Sequence, residues 1–316
     1  MTLPPDSFSS PSPASAPVAS TATSTAPSGS DPQDHIAYYS AQYNARAGIP
    51  DHPQIFERWA LQSAAVRAGA IGRHARHDVA YGESAGEKLD FFPASQPGGP
   101  LLVFIHGGWW RSLDKSDFSF IVPAFHAHGI NVALTNYTLA PAATIEEITL
   151  QQVGALAWLY RQAASLGVDR NRIVVSGHSA GGHLAAMLMA AEWPAFAADL
   201  PLDLVKAGIV FSGLYDLEPV QHADFVNGDL RLTPERVGHL SPGRMTQSHP
   251  TPFLTAVGGL ESDEFKRQNR LLQEAWAGSH AGDVPLPQAN HLDICDSLAL
   301  PGAPLFEAAL ALILKT

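Results

Sequence analysis

The sequence predicts an α/β fold, a mostly parallel central sheet with helices on both faces, preceded by N-terminal helices and a disordered tail. Three observations predict it. Five short runs, at 101–105, 131–134, 172–176, 207–211 and 252–257, are apolar on all sides, as suits strands buried on both faces of a parallel sheet. Helical stretches lie between them at 118–128, 145–165, 181–191 and 263–277, and strand then helix, repeated, gives a parallel sheet covered on both faces. The length of 316 residues, with 46% hydrophobic and 16% charged, suits one large core.

Taken from the N-terminus, residues 1–33 form a Ser/Pro/Ala-rich segment that lacks the apolar side chains needed to offset ordering entropy, so a disordered, dispensable tail is expected. No Lys or Arg precedes Arg46 and no apolar run follows the start, so nothing resembles a secretory signal and the cytoplasm is the default compartment. Residues 34–70 read as two helices separated by Pro50 and Pro53, with Tyr38, Tyr39, Tyr43, Ile55, Trp59 and Leu61 as apolar positions. These aromatic residues either join the core or roof a site. From 34 to 316 a single domain is expected. Residues 77–81 and 89–92 read as an antiparallel edge of the sheet, and 284–288 as its last strand.

Nineteen basic against 30 acidic residues give a net charge of −11, with no basic cluster of the kind a nucleic-acid footprint needs. No stretch approaches the roughly 20 apolar residues of a membrane span. The expected partner is therefore a small-molecule substrate, with no nucleic acid and no membrane, and the oligomeric state is left open. Cys295 is the single cysteine, which excludes an intrachain disulfide; it reads as a small buried residue.

The chemistry sits in two glycine-containing turns. Gly177-His178-Ser179-Ala180-Gly181 fits G-x-S-x-G and lies between an apolar run and a helical stretch, the context of a nucleophile elbow with Ser179 exposed on a strained turn. His106-Gly107-Gly108-Trp109-Trp110 directly follows the run at 101–105 and matches the H-G-G loop that completes an oxyanion hole. Gly107 and Gly108, or the N–H just after them, together with the N–H of Ala180, are the expected donors. These features specify an α/β-hydrolase fold, in which the acid and then the histidine follow the serine in the chain. His291 is the histidine that follows the last strand run. The acid belongs in the loop after 252–257; Glu261 is the first choice and Asp263 the second, because Asp263 falls at a helix N-terminus where an acidic residue has a structural reason. His178, His183 and His106 read as bracing residues. No H-E-x-x-H or paired Cys/His spacing occurs, so no metal and no cofactor is implied.

The chain resembles the kynurenine formamidases, or arylformamidases, within the α/β-hydrolases. The resemblance rests on His106 to Trp110, on the elbow with His183-Leu184-Ala185-Ala186-Met187, on Ser212-Gly213-Leu214-Tyr215-Asp216-Leu217-Glu218-Pro219, on Glu261-Ser262-Asp263-Glu264-Phe265 with Arg267-Gln268, and on Asn290-His291. It implies hydrolysis of N-formyl-L-kynurenine to formate and L-kynurenine, and supports Glu261 as the acid, a position often held by aspartate. Gly182 and Trp109 depart from relatives that carry alanine and tyrosine there. Trp109 and Trp110 either flank an aryl leaving group or pack in the core, and Arg111 either receives a substrate carboxylate or is a solvated loop cation. A general carboxylesterase would use the same residues on an easier bond. A silent hydrolase-like binding protein is the third reading, and a fluorophosphonate that fails to label Ser179 would identify it.

Overall fold

The computed structural model describes residues 31–316, and the tail expected over 1–33 lies outside it except for its last three residues. The helix Pro32–Tyr43 starts two residues ahead of expectation. Asp31 caps it, accepting from the Gln33 N–H at 2.8 Å, and Pro32 occupies the first turn, where its missing N–H costs nothing.

Eight strands form one sheet: β1 (Arg76–Ala80), β2 (Lys88–Phe92), β3 (Gly99–Ile105), β4 (Asn131–Thr135), β5 (Val168–His178), β6 (Ala207–Phe211), β7 (Phe253–Gly258) and β8 (His280–Leu286). Their order is β1-β2-β4-β3-β5-β6-β7-β8. The β1–β2 and β2–β4 pairs are antiparallel, and every later pair is parallel. Alternate residues of each central strand point to opposite faces. Leu101, Val103 and Ile105 of β3 join Ile173 and Val175 of β5 in one core layer, whereas Leu102, Phe104 and Val174 enter the other.

Helices cover both layers. On the first face lies Ile145–Leu166, which begins in a Thr144/Glu147 capping box and ends at Gly167, whose φ of 69° makes the left-handed C-cap. On the second lie His52–Ala68, Asp293–Ala299 and Pro304–Lys315, whose apolar residues Trp59, Ile294, Phe306 and Ile313 are buried. Among the described residues no single helix is long and apolar enough to cross a bilayer.

Two expected boundaries need correction. The helix expected over 118–128 is a 3-10 segment, Lys115–Ile121, followed by the short α-helix Val122–His126. Pro123 cannot donate to the turn before it, so the ladder restarts there. The last strand begins at His280 and not at 284. Its first half, His280-Ala281-Gly282-Asp283, is polar and glycine-containing because β8 is an edge strand, and Pro285 is tolerated for the same reason.

Between β6 and β7 the chain runs through short helices, Asp224–Leu230 and Pro234–Val237, before it returns to the sheet. The helix Pro32–Tyr43 packs on this segment: Ser40 Oγ–H donates to the Asp224 carboxylate at 2.6 Å, and the Tyr39 and His222 rings stack at 5.8 Å. Tyr43 is fully buried, with its hydroxyl donating to Glu264 at 2.9 Å. The N-terminal helices thus contribute to the core and carry their connecting turn to the carboxyl end of the sheet, where the site lies.

Candidate active site

β5 ends at His178, the helix Ala180–Ala190 begins at the next residue but one, and Ser179 is the whole of the turn between them. Its φ of 57° and ψ of −121° are strained for a residue with a side chain. The flanking glycines make the turn sterically possible: a Cβ on Gly177 would lie 2.1 Å from the Gly181 carbonyl oxygen, and one on Gly181 would lie 2.0 Å from that of Ile105. Ser179 N–H donates to Phe211 O of β6 at 3.1 Å, which ties the turn to the sheet.

The loops after β7 and β8 bring the other two groups to the serine. His291 Nε2 lies 3.1 Å from Ser179 Oγ, and its Nδ1 lies 2.6 Å from Glu261 Oε2. With a carboxylate opposite Nδ1, the ring carries its proton there and leaves the Nε2 lone pair facing the serine hydroxyl. The other Glu261 oxygen accepts from Ser212 Oγ at 2.6 Å and from the Gly258 N–H at 2.7 Å, so the carboxylate has one orientation. Asn290 Oδ1 accepts from the N–H groups of Leu292 and Asp293 and shapes the turn on which His291 stands. Phe265 lies against the imidazole, ring centroids 4.3 Å apart.

Asp263, the second choice for the acid, occupies the first turn of the helix Asp263–Ala275, capped by Ser262, and makes no hydrogen bond to His291. Ser212 is a site residue that the sequence reading did not single out. It has a φ of 49° immediately after β6, and the only signal for it was its place at the head of the Ser-Gly-Leu-Tyr-Asp stretch.

The bracing histidines are where the sequence put them. His178 Nε2 lies 2.8 Å from the His291 carbonyl; burial, and then the neighbouring His291, hold its pKa well below the usual imidazole value, so it stays neutral and donates. His183 Nε2 lies 2.7 Å from Leu240 O, tying the elbow helix to the β6–β7 segment, and burial lowers its pKa to about 4. The ring nitrogens of His106 lie 2.8 Å from Gly107 O and 2.9 Å from Asn136 Oδ1. Cys295 is fully buried, and burial pushes its thiol well above the ordinary range, where it is no nucleophile.

The glycine loop after β3 comes up beside the serine. A Cβ on Gly107 would lie 3.0 Å from Ser179 Cβ. Gly108 has a φ of 104°, and its carbonyl accepts from the N–H groups of Arg111 and Ser112 at 3.1 and 3.0 Å, which closes the loop. Among the described residues, no acceptor takes the backbone N–H of Gly107, Gly108 or Ala180. Ala180 opens a helix, so its N–H has no intrahelical partner and stands at the positive end of the dipole.

The two tryptophans separate. Trp109 is partly exposed and lines the cavity over Ser179, edge-on to Tyr43 and Phe225 at 6.0 and 5.5 Å. Trp110 is fully buried against His183, with centroids 5.0 Å apart, and is absent from the cavity wall, so of its two expected places it takes core packing and not the one beside a substrate. Both residues have left-handed φ values, 55° and 53°. Arg111 lines the cavity, but its guanidinium donates to Asp229 at 2.6 Å.

The cavity holds about 150 Å3, with Ser179, His178 and His291 among its lining residues. Asn44, Arg46, Phe56, Trp59 and Phe225 are also in its wall, supplied by the N-terminal helices and the β6–β7 segment. Among the described residues no three His, Cys, Asp or Glu side chains cluster closely enough to hold a metal ion. A hydroxyl, an imidazole and a carboxylate hydrogen-bonded in this order can generate a nucleophile and return its proton to a leaving group.

The chain is similar to known hydrolases. The BD-FAE family model matches residues 89–204. The kynurenine formamidase of Danio rerio is 29% identical over 248 residues, covering 76% of this chain and 82% of that protein. The kynurenine formamidase of Drosophila melanogaster is 32% identical over 210 residues, covering 64% and 69%. A crystal structure from Silicibacter sp. tm1040, provisionally named a thioesterase, superposes with a TM-score of 0.75 at 29% identity and covers 84% of this chain and 97% of its own.

Proposed function

The chain belongs to the kynurenine formamidase family and is a hydrolase of the α/β-hydrolase fold, and from that premise we propose that it cleaves aryl formamides, N-formyl-L-kynurenine above all, to formate and L-kynurenine, a step of tryptophan breakdown. The observation that carries the reading is the 3.1 Å and 2.6 Å pair of contacts that His291 makes to Ser179 and Glu261 in a small cavity walled by aromatic side chains.

In the proposed cycle His291 Nε2 takes the Ser179 proton as Oγ attacks the formyl carbon. The oxyanion that forms is held by the N–H groups of Ala180 and of Gly107 or Gly108, donors that have no other partner among the described residues. Glu261 keeps the proton on Nδ1 and stabilises the imidazolium. The imidazolium then gives its proton to the aniline nitrogen, the C–N bond breaks, and L-kynurenine departs. Water, deprotonated by His291, attacks the formyl-enzyme; formate leaves as the proton returns to Ser179 Oγ.

A formyl group needs almost no acyl pocket, and the cavity is small. Its aromatic wall, Trp109, Phe225 and Phe56, suits a flat leaving group. One ring stacked on Trp109 contributes about 0.5 to 1.5 kcal/mol beyond area burial. The test is to incubate the protein with N-formyl-L-kynurenine and measure kynurenine and formate, with Ser179→Ala alongside. Equal amounts of both products from the wild type and none from the folded variant are expected. No kynurenine from the wild type, or undiminished turnover by the variant, would overturn the proposal.

A further inference from the structure

The charge of the cavity differs from the charge of the chain. The protein carries 30 acidic and 19 basic residues, yet among the described residues the only Asp, Glu, Lys or Arg side chains that line the cavity over Ser179 are Arg46 and Arg111, both cationic. Arg111 is answered by Asp229 at 2.6 Å. Arg46 is not answered: among the described residues no carboxylate lies within ion-pair distance of it, and no hydrogen bond from its guanidinium is present. Its one specific contact is with the Phe56 ring, 5.0 Å from the guanidinium carbon to the centroid. Phe56 is another cavity-lining residue, so the contact holds the cation at the rim while leaving its fork of N–H donors open. The two guanidinium groups also feel one another: desolvation, and then the charge of Arg111, lower the pKa of Arg46, and an anion bound at the rim would relieve that repulsion.

We infer that Arg46 receives a carboxylate carried by the substrate, which makes the cavity selective for substrates that present a carboxylate. Guanidinium and carboxylate match as paired forks, and that geometry fixes orientation as well as adding affinity. The formyl group has no position for such a substituent, so the carboxylate belongs to the leaving group; this clause rests on the formamide reading above. The inference gives the anion-binding role, one of the two readings the sequence left open for Arg111, to a residue 65 positions earlier in the turn Ala45–Gly48.

The test uses a substrate pair that does not depend on formamide hydrolysis: 3-(4-acetoxyphenyl)propanoate and its primary amide, aryl acetates that differ only in the charge of the leaving group. The full-length wild type is expected to favour the carboxylate in kcat/KM, and Arg46→Gln to reduce that ratio about tenfold, mainly through KM. Raising the salt concentration should narrow the wild-type ratio, because the pair lies at an exposed rim. Three results would overturn the inference: a wild type with no preference, an Arg46→Gln protein whose two values fall together at a constant ratio, or a ratio that responds to Arg111→Gln and not to Arg46→Gln. A carboxylate preference in a protein that leaves N-formyl-L-kynurenine intact would remove the formamide reading and keep this one. The opposite pattern would do the reverse.

Discussion

Replacing Glu261 by Gln probes the proton relay with almost no change of shape. The side chain is inaccessible, and its Oε1 accepts from both Ser212 Oγ and the Gly258 N–H. The backbone donor fixes the orientation of the amide, because the NH2 group cannot face another N–H; the carbonyl oxygen therefore stays with Gly258 and the NH2 group turns to His291 Nδ1. Two donors cannot share that 2.6 Å contact. The imidazole relieves the clash by moving its proton to Nε2, where it points at Ser179 Oγ and the base is lost. The wrong tautomer costs on the order of 10⁴ in kcat, about 5 kcal/mol of barrier. Asp263→Asn removes only a charge from the first turn of a helix, about 0.3 to 1 kcal/mol of stability, and kcat should stay within about twofold. Steady-state kinetics on N-formyl-L-kynurenine, with melting curves to establish folding, decide the matter. A nearly active Glu261→Gln protein beside a crippled Asp263→Asn protein would refute the reasoning.

Ser212→Ala deletes one of the two donors on Glu261 Oε1 and leaves the Gly258 N–H in place, so kcat should fall about tenfold with KM little changed; a loss below twofold would show that Ser212 does not position the acid. His183 gives a prediction about pH. Its folded pKa of about 4 lies below the unfolded value of 6.5, so the unfolded chain binds the extra proton first, and the stability held above pH 6.5 is lost as pH falls towards 4. That gap is worth roughly 3 kcal/mol. Denaturant titrations from pH 7 to 4 should show the decline, and a flat profile would contradict a buried neutral His183.

The central strands were legible because burial on both faces leaves a signature that needs no partner to interpret: every position of 101–105 is apolar, and every position of β3 from Pro100 to Ile105 is buried. The start of β8 was hidden for the complementary reason, since an edge strand has polar and glycine positions like those of a loop. The hydrogen-bonded placement of Ser179, His291 and Glu261 could be anticipated because the fold fixes their order in the chain. Ser212 could not: its role is a hydrogen bond to a residue 49 positions away, and no local pattern encodes that. Trp109 and Trp110 looked equivalent because adjacent letters carry no direction; in the fold one lines the cavity and the other is buried in the core. Arg46 and Phe225 escaped notice for want of a motif. They reach the site only because the N-terminal turn and the β6–β7 segment meet above the serine.

The most direct test of the central claim is the ratio of kcat/KM for N-formyl-L-kynurenine to that for p-nitrophenyl butyrate, measured on one preparation of the full chain. A formyl group needs almost no acyl pocket and the aromatic wall of Trp109, Phe225 and Phe56 suits an aryl leaving group, so the formamide reading predicts that the formamide is preferred even though its bond is the harder one to break. A higher value for the butyrate ester would contradict the account and leave a carboxylesterase built on the same three residues.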